Sequence, residues 1–178
     1  MSDTALVIVD MLNAYEHEDA DKLTRSVEEA LPAMVRLIER ARDDADLTVY
    51  VNDNFGAWQS DREGLLQTAM EGRYKHLVEP IAPREDALFV VKARHSTFYG
   101  TPLEYLLGER GIERIVLAGQ VTEQCILYSA LDAYIRRLSV TIPRDAVAHI
   151  HPDLAEASLK MMEVNMDAEI ADADDVRF

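Results

Sequence analysis

The run Ala5-Leu6-Val7-Ile8-Val9 places consecutive apolar side chains directly before the carboxylate of Asp10. A strand that is buried on both faces needs an unbroken apolar run of this kind, whereas a strand with one face in water alternates apolar and polar residues. We therefore predict a parallel strand inside a covered sheet. The carboxylate at its end is the first candidate for chemistry.

Further strands follow along the chain, separated by segments with helical spacing. Because strands that alternate with helices need crossover connections, the sequence predicts an α/β fold with a doubly wound, mostly parallel sheet and helices on both faces. We predict one domain spanning residues 1–178, with a less regular excursion at 52–83. The predicted strands are 5–9, 48–51, 87–91, 115–118, 139–142 and 168–170, and the predicted helices are 23–45, 102–110, 123–137 and 152–165.

The composition excludes several kinds of partner. The formal net charge of −15 would repel nucleic acid, and the longest apolar runs are too short to cross a bilayer. A single cysteine rules out an intrachain disulfide and fits a reducing compartment, so we expect a cytoplasmic protein without a membrane partner. The acidic surface fits either a high-salt cytoplasm or an ordinary acidic protein, and the sequence leaves both open.

Three reactive side chains follow predicted strands. Ligands of open α/β sheets collect at the carboxyl ends of the strands, and Asp10, Lys92 and Cys125 all lie there. Each has an ordinary interpretation when it is considered alone. Asp10 could be a turn residue, Lys92 a lysine that reaches solvent, and Cys125 a small buried thiol. Taken together, they supply a nucleophile, a base and a cation.

The position of Cys125 favours a nucleophile. We expect it in the first turn of the helix at 123–137, where the helix dipole and a nearby ammonium would lower the thiol pKa. Backbone N–H groups of Val121 and Cys125 could form an oxyanion hole. Such a site suits acyl transfer from a small amide to water.

Three segments, in this order, resemble the isochorismatase-like cysteine hydrolases. They are Val7-Ile8-Val9-Asp10-Met11, then Val91-Lys92 with His95-Ser96-Thr97-Phe98-Tyr99-Gly100-Thr101, then Gly119 to Cys125, and the similarity continues through 130–134 and 145–146. The family includes nicotinamidases, N-carbamoylsarcosine amidases, ureide-type amidohydrolases and isochorismatases. The resemblance implies a Rossmann-like three-layer fold.

The resemblance also implies a role for each residue. Cys125 would be the nucleophile, Asp10 the proton acceptor and later donor, and Lys92 the cation of a catalytic triad. A cis peptide between Gln120 and Val121 would turn the Val121 N–H into the oxyanion hole beside that of Cys125. The protein would assemble as a homodimer or homotetramer.

Two departures restrict the substrate. Metal-dependent members of the family carry Asp-x-His after the second strand, whereas this chain reads Asp53-Asn54-Phe55, so we expect neither a catalytic metal nor another cofactor and no nicotinamidase activity. The first motif usually continues Asp-Met-Gln-x-x-Phe, and here Asn13 and Tyr15 would take the polar and aromatic places.

Residues near the strand ends are candidates for binding a small molecule. An aromatic wall with amide groups suits a small, flat, polar substrate. Arg94 could hold a carboxylate in a forked pair or point into solvent, and Trp58 could line the pocket or fill an interface. His95 could be a turn residue, could support the residues that contact the substrate, or could take part in catalysis. The candidates are Asn52, Asn54, Trp58, Gln59, Arg94, His95, Phe98 and Tyr99.

Three functions remain open from the sequence. The first is hydrolysis of a small amide, ureide or carbamoyl compound through a thioester on Cys125. The second is isochorismate-type vinyl-ether cleavage with Asp10 as the acid and no covalent step. The third is a thiol sensor on the same scaffold, since an exposed low-pKa thiol also suits redox sensing.

Overall fold

A computed structural model describes residues 3–45 and 47–178. Its sheet has the strand order β3-β2-β1-β4-β5-β7, and every pairing is parallel. The short strand β6 pairs with the last two residues of β4, after the part of β4 that pairs with β5. The predicted doubly wound fold is therefore confirmed. The strands are β1 (Thr4–Val9), β2 (Leu47–Asp53), β3 (Leu88–Lys92), β4 (Arg114–Gln120), β5 (Ser139–Pro143), β6 (Val147–Ala148) and β7 (Glu169–Ala171).

Helices cover both faces of the sheet. The predicted helix at 123–137 is divided, because a π-helical turn spans Thr122–Ile126 and the α-helix starts only at Leu127. The irregular excursion contains two short helices, and β6 was not predicted because two residues show no periodicity. The helices are α1 (Ala20–Asp44), α2 (Arg62–Glu71), α3 (Lys75–Val78), α4 (Leu103–Glu109), α5 (Leu127–Ile135) and α6 (Pro152–Met166).

Strand β1 is buried on both faces, as its composition requires. Leu6 and Ile8 belong to the core that α1 and α3 cover, whereas Ala5, Val7 and Val9 belong to the core that α4, α5 and α6 cover. All six residues of the strand are buried. A strand enclosed in this way delivers Asp10 to the middle of the carboxyl edge of the sheet.

Gly119 allows β4 to approach β1 closely. It pairs with Val9 and has φ +116°, a backbone conformation that side chains disfavour. A Cβ atom at this position would lie 2.2 Å from the carbonyl oxygen of Val9. Since Gly119 directly precedes the segment that leads to Cys125, this approach brings the ends of β1 and β4 together.

The outer surfaces of α5 and α6 expose large apolar side chains. Ile126, just before α5, is fully buried. The homodimer or homotetramer stays a prediction. The exposed apolar residues of the two helices are Tyr128, Leu131, Tyr134, Ile135, Leu154, Met161 and Val164.

Within residues 3–45 and 47–178, no helix has the length and apolar character needed to cross a membrane.

We expect Gly119→Ala to destabilise the protein by more than about 3 kcal/mol, because the added Cβ collides with the backbone of Val9 at a strained φ. Chemical denaturation measures this loss. Gly108→Ala is the matched control, since nothing lies within 4 Å of its Cβ position. Gly108 lies inside α4, so alanine there should stabilise by about 0.5–1 kcal/mol. Equal stability of the two variants would contradict the packing described for β1 and β4.

Candidate active site

Asp10 leaves β1 in a left-handed conformation with φ 56°, which Asp tolerates better than most residues. Its N–H still donates to the carbonyl of Val51 at 3.0 Å. Its carboxylate Oδ1 accepts the N–H of Asp53 at 2.7 Å. The carboxylate is thus held between the ends of β1 and β2, with only 7% of the residue exposed.

Lys92 ends β3 and is 1% exposed, so its ammonium must be paired within the protein. Its Nζ lies 2.9 Å from Asp10 Oδ2, 3.2 Å from Asp53 Oδ2 and 3.6 Å from Cys125 Sγ. An ammonium has three hydrogens to donate, and these three acceptors take all of them. The structure therefore brings the three sequence-predicted triad residues together around one cation.

Cys125 lies in the π-helical turn that follows β4. The carbonyl of Val121 accepts the N–H groups of Gln124 and Ile126, at 3.0 and 3.1 Å, which fixes the shape of this turn. π-Helical turns inside helices are frequent at functional sites. The peptide between Gln120 and Val121 is cis, as predicted. The oxyanion hole of Val121 and Cys125 stays a prediction.

The pKa of the Cys125 thiol differs from the prediction made from the sequence, because it is raised and not lowered. Burial raises the pKa of Cys125, and the neighbouring Asp10 carboxylate raises it further, while Lys92 opposes both effects. Desolvation lowers the pKa of Lys92, but Asp10, Cys125 and Asp53 outweigh it and keep the ammonium charged. The expected lowering of the thiol pKa is therefore wrong. A neutral thiol beside a carboxylate needs that carboxylate as a base.

Burial also raises the pKa of Asp10, although Lys92 and hydrogen bonds from Cys125 and Asp53 lower it in part. A carboxylate with a raised pKa accepts a proton more readily than an exposed one. Asp10 is thus suited to carrying a proton between two reaction steps.

Several supporting residues were not identified from the sequence. Gln120 donates from Nε2 to the carbonyl of Asp10 at 2.6 Å and accepts the hydroxyl of Tyr15 at 3.3 Å. Asp53 supplies both a carboxylate to Lys92 and its N–H to Asp10. The positions of Gln120 and Asp53 at strand ends were the only feature of the sequence that pointed to a role in the site. Their partners lie too far along the chain to be read from spacing.

The residues after β2 do not fit a metal ion. Asp53 uses Oδ2 for Lys92, and its Oδ1 accepts the N–H of Phe55 at 2.8 Å. Phe55, at the position where metal-dependent relatives have a histidine, offers no donor atom. In the described parts of the chain, 3–45 and 47–178, His, Cys, Asp and Glu side chains form no group of three that could hold a metal.

A cavity of about 510 Å³ opens beside the triad. Five of the eight predicted substrate-binding candidates line it: Asn54, Trp58, Arg94, His95 and Tyr99. Trp58 is 85% exposed, so the cavity has an aromatic edge open to solvent. The complete lining is Asp53, Asn54, Phe55, Gly56, Trp58, Ala93, Arg94, His95 and Tyr99.

Three other candidates lie elsewhere. Asn52 is buried, and its side chain bonds both the N–H and the carbonyl of Leu12, at 2.8 and 3.1 Å, so it ties the end of β2 to the loop after β1. Phe98 is buried beneath the guanidinium of Arg136, 5.0 Å from its ring centre. Gln59 lines a separate cavity of about 500 Å³. Burial and hydrogen bonding keep Asn52 and Phe98 out of the cavity beside the triad, and Gln59 faces the other cavity. A role of these three residues in substrate binding stays a prediction.

His95 lies where the cavity meets the nucleophile. It lines the cavity, and its Nδ1 is 3.9 Å from Cys125 Sγ. Its ring packs against Tyr128 at 5.5 Å between centres. The sequence left this residue open as a turn residue, and the structure brings it next to the sulfur.

Comparisons with known proteins agree with this geometry. The isochorismatase domain family matches residues 4–175. An uncharacterized isochorismatase family protein, YaaI of Bacillus subtilis, is 37% identical over 169 residues, covering 95% of this chain and 93% of the relative. Maleamate amidohydrolase of Pseudomonas putida is 29% identical, covering 87% of this chain and 76% of the relative. The crystal structure of N-carbamoylsarcosine amidase from Thermoplasma acidophilum superimposes with a TM-score of 0.75 at 27% identity, covering 99% of each chain.

The parallel sheet with a buried Asp, Lys and Cys cluster at its carboxyl edge defines a three-layer α/β hydrolase. The match over nearly the whole length then gives the family, and this chain belongs to the isochorismatase family.

We expect alkylation of Cys125 by iodoacetamide to show an inflection above the ordinary thiol value of about 8.5, because burial and Asp10 raise the thiol pKa. Asp10→Asn removes the neighbouring negative charge and should move the inflection to lower pH. Lys92→Met removes the stabilising cation and should move it to higher pH. The alkylation rate is measured against pH, with circular dichroism to verify folding. An inflection well below 8.5 in the wild type would contradict the buried neutral thiol.

Proposed function

We propose that this protein hydrolyses a small amide or ureide that carries a carboxylate, through a thioester on Cys125. One observation carries the proposal: a single buried ammonium, Lys92, contacts the thiol and two carboxylates, at 3.6, 2.9 and 3.2 Å. This arrangement holds a nucleophile and a base together next to an open cavity.

Acylation uses the hydrogen bond between the thiol and Asp10. As the sulfur attacks the amide carbon, the thiol proton passes to Asp10, and the N–H groups of Val121 and Cys125 stabilise the oxyanion. Asp10 then returns the proton to the leaving nitrogen as the C–N bond breaks. The products of this half-reaction are a thioester and ammonia or an amine.

Lys92 acts by holding charge in place. Its ammonium stabilises the carboxylate of Asp10 before proton transfer and the developing thiolate during attack. Since the neighbouring Asp10, Cys125 and Asp53 keep the pKa of Lys92 raised, it stays charged throughout. A lysine held by two carboxylates is a poor nucleophile, which leaves the covalent step to Cys125.

Arg94 supports a substrate with a carboxylate. In the cavity, the Asp53 charge is paired with Lys92, and among residues 3–45 and 47–178 no carboxylate lies within 4 Å of Arg94. The guanidinium is therefore available for a forked pair with an anion. Maleamate and N-carbamoylsarcosine, which name two similar proteins, each combine a carboxylate with an amide or ureide bond.

We expect Cys125→Ala to lower kcat by about 10³-fold or more and Asp10→Asn to lower it by about 10²–10⁴-fold, because the first removes the nucleophile and the second the proton carrier. Ammonia release is measured over a panel of maleamate, N-carbamoylsarcosine, ureidoacrylate and nicotinamide. Background rates for the whole panel with the wild type would contradict the substrate class.

The same two variants distinguish amide hydrolysis through a thioester from vinyl-ether cleavage. The raised pKa of Asp10 also suits a direct proton donor, which is what vinyl-ether cleavage without a covalent step requires. Isochorismate turnover that survives Cys125→Ala but is lost in Asp10→Asn would favour this second function over the thioester route.

We expect Arg94→Gln to lower kcat/KM for maleamate by about 10–100-fold, the value of a charged, forked hydrogen bond. The neutral diamide of maleic acid should be hydrolysed equally well by both proteins. Arg110→Gln is the matched control. Arg110 is the C-cap of α4, shortly before β4 begins, so it lies near the amino-terminal end of that strand, whereas the site lies at the carboxyl end. An equal loss for both substrates would contradict carboxylate recognition by Arg94.

A further inference from the structure

The Cys125 sulfur lies between two acid–base groups in different environments. Asp10 and Lys92 are buried beneath it, at the ends of β1 and β3. His95 is exposed and lines the cavity, with Nδ1 at 3.9 Å from the same sulfur. The acylation described above uses the buried group and leaves His95 without a role.

The orientation of His95 is fixed by its surroundings. It lies three residues after Lys92, and its ring packs against Tyr128 at 5.5 Å with an interplanar angle of 39°. Tyr128 is the second residue of α5 and lies three residues after Cys125, which is in the preceding π-helical turn. The imidazole and the thiol are therefore positioned by the same helix, and not only by a surface loop.

The second half-reaction has a base available on the cavity side. A thioester on Cys125 is hydrolysed by water, which enters from solvent and attacks the carbon bonded to the sulfur. Any water in that position lies near Nδ1 of His95, because the imidazole borders both the sulfur and the cavity. A neutral imidazole has one nitrogen that accepts a proton, and histidine is the usual general base at neutral pH.

We propose that His95 is a catalytic residue for hydrolysis of the thioester, an inference that rests on the proposed function. Water forms the new C–O bond and gives one proton to the imidazole. The tetrahedral intermediate then collapses, the C–S bond breaks, and the imidazolium returns the proton to the departing sulfur. The carboxylic acid leaves, and both the neutral thiol and the neutral imidazole are restored.

This division assigns one proton carrier to each half-reaction. Asp10 regains its charge when it protonates the leaving nitrogen, so it needs no further proton to start the next cycle. The return of a proton to sulfur agrees with the raised pKa of Cys125, which makes the neutral thiol the resting form. Arg94, beside His95, is then free to hold the substrate.

The test uses p-nitrophenyl acetate, whose leaving group needs no proton, so the thioester forms without an acid. We expect His95→Gln to keep the initial burst of nitrophenol and to lower the steady rate by about 10²-fold or more. Acetylated Cys125 should accumulate and be detected by mass spectrometry. In His95→Ala, imidazole added after removal of the free ester should speed the loss of the acetyl group from Cys125.

The controls distinguish failure of the role of His95 from failure of the thioester route. His76→Gln, on an exposed histidine paired with Glu28 at 3.6 Å, should change neither phase. A wild-type steady rate in His95→Gln, or an equal fall in burst and steady rate without acetyl-enzyme, overturns the role of His95 alone. Nitrophenol release that is undiminished in Cys125→Ala, with no acetylated Cys125 in either the wild type or His95→Gln, overturns the thioester route and the role of His95 with it.

Discussion

The ammonium of Lys92 is the constraint on which the rest of the site depends. A lysine that is 1% exposed can stay charged only if acceptors replace its lost water. Asp10, Asp53 and Cys125 provide one acceptor for each of its hydrogens. The carboxyl ends of β1, β2 and β3 must therefore meet the turn after β4 within a few ångströms. The parallel sheet achieves this because it aligns the carboxyl ends of these strands along one edge.

The backbone around this cluster is adapted to bring the strands close. Gly119 lets β4 approach the carbonyl of Val9 more closely than any side chain would allow. Asp10 accepts a left-handed conformation that turns its carboxylate away from the strand direction. Gln120 then bonds the carbonyl of Asp10 and so fixes the two strand ends relative to each other. Chemistry and packing therefore share the same residues, and substitutions here alter both.

The site is also asymmetric with respect to water. Its charged groups are buried on one side of the sulfur, where low dielectric strengthens their interactions. The other side faces a cavity bordered by His95 and Arg94 and by the exposed ring of Trp58. A hydrolase that forms a covalent intermediate benefits from this separation. In the proposed mechanism, the nucleophile is activated away from solvent, while the second substrate, water, arrives from the open side.

The sequence by itself determined the parallel α/β fold and the meeting of Asp10, Lys92 and Cys125 at one edge of the sheet, because continuous apolar runs mark buried strands and residues at their carboxyl ends share one edge. Only the tertiary structure decided which neighbours each group meets. Burial and the proximity of Asp10 reversed the expected pKa shift of Cys125. Packing removed Asn52 and Phe98 from the pocket, and it placed His95 beside the sulfur. Desolvation and contacts between distant residues depend on distances in space, which periodicity and spacing along the chain do not encode.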